Sequence, residues 1–323
     1  MRRVLALAVC LSAAAAGCGT QQMLLGTEGS YLFTVMDGLA LPGEEVPLRA
    51  RLQAGDLLRG QAGKVVRFSR DAVLYKASET DDDGAAVVTF TPGEPGDYRF
   101  VAEVAATGLP DEPPKPVELL IACRKADAPM VVVDLDKTVV ASGFQTVLLG
   151  NPDPMPGSAE VLGRLARDRT IVFLTHRPDY FGPKSKQWLR ARGYPAGPVL
   201  LSTVSGFLKG SGTYKSDAIK ALRQRFKGIE IGIGDKASDA KAYRASGMKS
   251  FLIVQVPGGA SAKQLEALAD SLKGLPDDVQ AVTGWDQIEK ALFDKASFPS
   301  SAMEIRLRDL AKERRQAEEA GKK

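Results

Sequence analysis

The spacing of apolar residues changes character near position 125. Before it, short runs alternate apolar with polar residues at 46–52, 64–69, 72–76, 85–90, 97–104 and 117–122. Alternation sends every second side chain to one face, so each run reads as a strand with one face on a core. Asp81-Asp82-Asp83-Gly84 and Pro92-Gly93-Glu94-Pro95-Gly96 supply turns, and 110–116 reads as a proline-rich inter-strand loop. The regular spacing predicts an antiparallel β-sandwich.

After Pro129 the pattern is apolar strands alternating with amphipathic helices. Strands are predicted near Met130, Thr170, Val199, Ile229 and Ser250. Helices are predicted at 158–167, 184–192, 216–226, 238–245 and 260–272, with a closing helix at 285–293. Uninterrupted apolar strands are buried on both faces, and their alternation with helices predicts a parallel, doubly wound α/β sheet. The expected organisation is therefore a leader at 1–18, a β-sandwich at 24–123, a linker at 124–128, an α/β domain at 129–295 and a charged helix or tail at 296–323. In the tail Met303, Ile305, Leu307 and Leu310 are an apolar minority, which predicts a solvated or frayed helix; contact with an anionic membrane surface is the alternative.

The strand at Met130 runs into Asp134-Leu135-Asp136-Lys137-Thr138. Beyond a strand end the chain curls, so Asp134 and Asp136 can face one crevice at the sheet edge. Two anions so close call for opposing charge, and oxygen ligands select a hard divalent cation such as Mg²⁺ beside a transferring phosphoryl group. Alone, the run also reads as a polar strand-to-loop turn. Three further pieces follow in order: Thr170 to Thr175, a β-branched run ending in a hydroxyl; Lys215, where a helix begins; and Gly234-Asp235, with Asp239 four residues on.

This ordered set resembles the four motifs of the haloacid dehalogenase superfamily of aspartate-nucleophile phosphatases, over roughly 128–293. The resemblance implies Asp134 as nucleophile, forming an aspartyl-phosphate, and Asp136 as acid and then base. It implies Thr175 and Lys215 on the phosphoryl oxygens. It assigns Mg²⁺ to Asp134, Asp235 and the main-chain carbonyl of Asp136, with Asp239 adding a ligand through water or orienting Lys215. Asp239 also suits a plain helix-start role, Lys209 and Lys220 are rivals of Lys215, and Thr175 suits an ordinary strand end. His176, the single histidine, and Arg177 are candidates to touch substrate.

The segments Pro154-Met155-Pro156-Gly157, Gly197 to Ser202, Ser211-Gly212-Thr213-Tyr214-Lys215 and Asp239 to Tyr243 are similar to lipin-type and actin-patch-type phosphatidate phosphatase domains. That similarity implies a lipid phosphate substrate. Those enzymes carry Gly after the second Asp, where this chain has Lys137. About forty residues separate Asp134 from Thr175, and about as many separate Thr175 from Lys215. Crossover elements use most of both stretches, so no large cap is expected and the site suits a bulky or membrane-held ester.

The net charge of +4 is modest and its signs are interspersed, with no basic stripe carrying aromatics, which argues against a nucleic-acid partner. Met1-Arg2-Arg3 and the apolar run to Ala16 have the form of a secretory leader. Ala15-Ala16-Gly17-Cys18 resembles a bacterial lipobox, which implies acylation of Cys18, a lipid anchor and, with Gly19 next, the outer membrane; ordinary leader cleavage near Ala16 is the alternative. Cys123 then lacks a disulfide partner. Gly96-Asp97-Tyr98-Arg99-Phe100 resembles the tyrosine corner of immunoglobulin-like domains, with Phe100 in the place of a cysteine. Besides a lipid phosphatase, the sequence leaves open a phosphatase of soluble phosphomonoesters and a weakly catalytic binding module.

Overall fold

A computed structural model describes residues 30–55, 57–143, 151–203 and 210–320. The leader at 1–18, Cys18 and Lys209 lie outside the described residues.

The N-terminal strands are β1 (Tyr31–Met36), β2 (Gly38–Ala40), β3 (Val46–Ala54), β4 (Arg59–Gly60), β5 (Val65–Arg70), β6 (Val73–Glu79), β7 (Ala85–Phe90), β8 (Gly96–Val104) and β9 (Val117–Cys123). In one sheet β3 pairs antiparallel with β1, β4 and β7; the other sheet has the order β2-β9-β8-β5-β6. Alternate residues turn inward, and Leu48, Leu52, Phe68, Phe100 and Leu119 form the dry interior between the sheets. The Tyr98 hydroxyl donates to the Glu94 carbonyl at 2.9 Å, and Phe100 is fully buried beside it. This is the tyrosine corner of an immunoglobulin-like sandwich, with a phenylalanine replacing the cysteine.

Strand β1 is absent from the alternating pattern for a physical reason. Tyr31, Phe33 and Val35 face the sandwich interior, while Leu32 packs on Phe181 of the second domain. A strand covered on both sides loses its polar positions and with them the period-two signal.

The second domain follows as β10 (Met130–Val133), α1 (Ser158–Leu165), β11 (Thr170–Pro178), a 3₁₀ turn (Asp179–Phe181), α2 (Gly182–Ala191), β12 (Val199–Ser202), α3 (Ser211–Arg225), β13 (Ile229–Gly234), α4 (Ala237–Ala245), β14 (Lys249–Ile253), α5 (Ala262–Leu272), β15 (Gln280–Val282), α6 (Trp285–Phe293) and α7 (Ser300–Ala320). Its six strands are all parallel, in the order β12-β11-β10-β13-β14-β15. Val131 and Val133 of β10 enter the layer of Leu162, Trp188 and Trp285; Met130 and Val132 enter the opposite layer with Ile219, Leu222 and Tyr243. One apolar strand thus feeds both helical layers, as its uninterrupted hydrophobicity predicts.

Two expectations are corrected. Helix α3 starts at Ser211, after Gly210 with φ 90°, rather than at 216, so Lys215 sits in its second turn. The C-terminal helix is not simply solvated: Met303, Leu307 and Ala311 form a stripe at four-residue spacing and pack on Leu265, Ala269 and Leu272 of α5. Ile305 remains exposed. Among the described residues no helix is long and apolar enough to cross a membrane.

The two domains share an interior. Leu39, Leu120 and Ala122 of the sandwich belong to the same cluster as Met130, Val132 and Ile219. Buried Asp37, between β1 and β2, accepts the Leu120 amide at 2.8 Å, the Val199 amide at 3.0 Å and the Lys186 ammonium. Arg124, in the expected linker, donates to Thr170 Oγ1 at 2.6 Å and to Asp97 at 2.6 Å.

Candidate active site

Strand β10 lies between β11 and β13, and Val133 pairs in register with both Phe173 and Ile233. Residues just past those positions therefore emerge at one level of the sheet's C-terminal edge, where open α/β sheets bind ligands. Asp134 leaves β10, Asp235 leaves β13, and Asp239 is in the first turn of α4. Gly232 permits this docking of α4, because a Cβ there would lie 2.2 Å from the Tyr243 ring.

Lys215 reaches in from α3. Its ammonium is 2.7 Å from Asp134 Oδ2 and 2.6 Å from Asp239 Oδ2, with all three side chains nearly inaccessible to solvent. Burial alone would favour the neutral amine, but Asp134 and Asp239 more than reverse it and hold Lys215 protonated well above the ordinary lysine range. Burial pushes the Asp239 carboxyl up, with Lys215 pulling against it. Asp235 is pushed up to about 7, first by burial and then by the charge of Asp134.

Asp136 is held by Arg177, whose Nε donates at 3.1 Å and Nη2 at 2.7 Å to its two oxygens; Arg177 Nη1 also donates to Ser185 at 2.9 Å. The guanidinium expected at substrate is thus engaged by Asp136 and α2. Thr175 is fully buried, its Oγ1 accepts the Arg177 amide at 3.2 Å, and it does not line the cavity. The cavity, of ≈ 240 Å³, is lined by Asp134, Asp136, Lys137, Gly143, His176, Arg177, Ser211, Lys215, Asp235 and Lys236. The His176 ring stands 5.6 Å from that of Tyr214.

Sequence reasoning assigned no role to Ser211 or Lys236, which are joined by a 3.0 Å hydrogen bond across the cavity wall. Lys236 immediately follows Gly234-Asp235, the available signal for it. Both tryptophans hold main-chain carbonyls beyond Asp136: Trp285 Nε1 donates to the Thr138 carbonyl at 2.7 Å, and Trp188 Nε1 to that of Pro152 at 2.9 Å.

The carboxylates fit a hard cation. One oxygen from each of Asp134, Asp235 and Asp239 lies within 4.8 Å of the others. Asp235 Oδ1 is buried without a hydrogen-bond partner among the described residues, an acceptor that a cation would satisfy.

Residues 131–256 match the family model described as PITM 1-3, LNS2 domain. These residues form an LNS2 domain. The LNS2 segment, of the lipin/PITM, haloacid-dehalogenase-like type, contains all of Asp134, Asp136, Thr175, Lys215, Asp235 and Asp239. No curated protein matches the chain. Among solved structures, a fibronectin(III)-like module of Clostridium thermocellum is 10% identical, covering 29% of this chain and 96% of its own, with TM-score 0.21. The CARDB domain of a Pyrococcus furiosus protein is 18% identical, at 30% and 97% coverage and TM-score 0.22. The M3 domain of titin is 7% identical, at 30% and 98% coverage and TM-score 0.22.

Proposed function

We propose that the LNS2 domain is a Mg²⁺-dependent phosphatase acting through an aspartyl-phosphate, with a lipid phosphate such as phosphatidate as substrate. The observation that carries this reading is the convergence of Asp134, Asp136, Lys215 and Asp235 on one cavity at the rim of a parallel sheet.

A carboxylate oxygen of Asp134 bonds to phosphorus as the ester P–O bond breaks, and Asp136 gives its proton to the departing alkoxide. Asp136 then takes a proton from water, whose oxygen attacks phosphorus, releases phosphate and restores Asp134. The Lys215 ammonium steadies Asp134 and faces charge developing on the phosphoryl oxygens. Asp134, Asp235 and Asp239, with the main-chain carbonyl of Asp136, would hold Mg²⁺, which when bound offsets charge between nucleophile and phosphate.

The lipid assignment draws support from the lipin/PITM type of the domain. Between β10 and β11, and between β11 and α3, the described residues contain α1, the 3₁₀ turn, α2 and β12, with no added cap. Acylation at Cys18 would hold such an enzyme at the outer membrane of a bacterial cell envelope after export, beside its substrate.

The test compares wild type with Asp134→Asn on phosphatidate in mixed micelles and on a panel of soluble phosphomonoesters, with Mg²⁺ or chelator. Metal-dependent phosphate release from phosphatidate that the variant lacks is expected. Release confined to the soluble panel removes the lipid substrate; release from neither removes the phosphatase. Incorporation of labelled fatty acid by wild type but not by Cys18→Ser is expected of the anchor.

A further inference from the structure

Building on the phosphatase reading, we propose that Lys137 is a substrate-binding residue, receiving the dianionic phosphoryl group of the incoming ester at the cavity mouth.

The backbone gives the first reason. Lys137 has φ 56°, in the left-handed region, where a Cβ crowds the following carbonyl and glycine is the least strained occupant. The turn is held by main-chain groups: the Lys137 amide donates to the Ser142 carbonyl at 3.2 Å, and its own carbonyl accepts from Gln255 Nε2 at 3.3 Å. Glycine would make both bonds. Local structure therefore does not account for a lysine here, and strain retained at a pocket residue points to its side chain. That side chain lines the cavity, and its Cε lies 3.5 Å from where a Cβ on Gly143 would stand.

Charge gives the second. The carboxylates of Asp134, Asp136 and Asp235 line the cavity, and that of Asp239 is buried behind Lys215. Lys215 neutralises one and Arg177 another. A divalent ion would offset the remaining two. A phosphoryl dianion entering such a site finds balancing charge in the other cations that line it, Lys137 and Lys236. Lys215 and Arg177 are buried and already paired, whereas Lys137 is exposed and makes no ion pair among the described residues. Lys236 is exposed as well, but its ammonium is held by Ser211 Oγ at 3.0 Å, which leaves Lys137 as the lining cation whose ammonium has no hydrogen bond or ion pair among the described residues.

The experiment uses the full chain with Mg²⁺ and the variants Lys137→Gly, Lys137→Ala and Lys137→Arg. Calorimetry measures binding of inorganic phosphate, and kinetics are run on phosphatidate micelles and p-nitrophenyl phosphate. Gly and Ala are expected to weaken phosphate binding and raise KM by about tenfold, with kcat falling far less; Arg is expected to retain most of both. The Gly variant is expected to melt above the Ala variant by about 2–4 °C, since both lose the ammonium but one keeps the strained Cβ. Wild-type phosphate affinity and KM in the Gly and Ala variants would overturn the inference while leaving the phosphatase in place. Lys137-dependent phosphate binding without ester cleavage by wild type would keep the anion site and remove the phosphatase.

Discussion

The carboxylate of Asp136 is forked by the guanidinium of Arg177, with Nε 3.1 Å from one oxygen and Nη2 2.7 Å from the other. Because Ser185 on α2 fixes the third arm, the orientation of Asp136 is set from β11 and α2 together. Arg177→Lys keeps the charge but loses the fork. Its kcat should fall by about 10- to 100-fold through misorientation of the acid, with KM little changed. Steady-state kinetics across pH check this; a rise in KM alone would mean that Arg177 meets substrate instead.

Removing metal should make stability depend on pH in one direction. In the metal-free protein the Asp235 carboxyl is pushed up to about 7 by burial and by Asp134. A carboxyl with a folded value above its unfolded one contributes stability fully below the ordinary carboxylate range and loses it as pH rises through the folded value. Metal-free protein is therefore expected to melt lower at about pH 8 than at about pH 5.5, and Mg²⁺ to raise melting more at the higher pH. Thermal melts with chelator and with Mg²⁺ measure both; an equal Mg²⁺ effect at the two pH values contradicts the account.

Lys215 has a structural as well as a chemical part. Lys215→Met leaves Asp134 and Asp239 facing each other without their shared cation. Unpaired buried charge of this kind costs about 3–5 kcal/mol, so urea unfolding of the metal-free variant should shift by that order. Mg²⁺ should recover part of the loss, and a variant as stable as wild type without metal would deny the pairing its importance.

Much of this site is legible in the sequence, and the remainder is hidden for identifiable reasons. Asp134, Asp136 and Asp235 announce themselves because apolar strands lead into them. Lys236 and Ser211 do not, since a lysine and a serine at helix starts are common and their proximity depends on how α3 and α4 pack. Strand β1 is masked by its double burial, and β15 is too short, at three residues, to show a period. The shared interior of the domains is harder still. Leu39, Leu120 and Ala122 belong to sandwich strands, and no local pattern says that a second domain covers them.

That continuity carries its own expectation. With Asp37 accepting from β9, β12 and α2 at once, sandwich and LNS2 domain should unfold as one cooperative unit. Calorimetry should show a single transition. Asp37→Ala, which strands buried donors on both sides, should lower it by an amount corresponding to about 3–5 kcal/mol. Two separated transitions in wild type would mean that the domains are energetically independent.

The chain has two tryptophans, and both indoles are moored to main-chain carbonyls of the stretch that follows Asp136. Ultraviolet emission from the unlabelled protein should consequently report on the surroundings of Thr138 and Pro152. Stopped-flow mixing with Mg²⁺ or phosphate could then time how the pocket fills, with no dye attached and no turnover required.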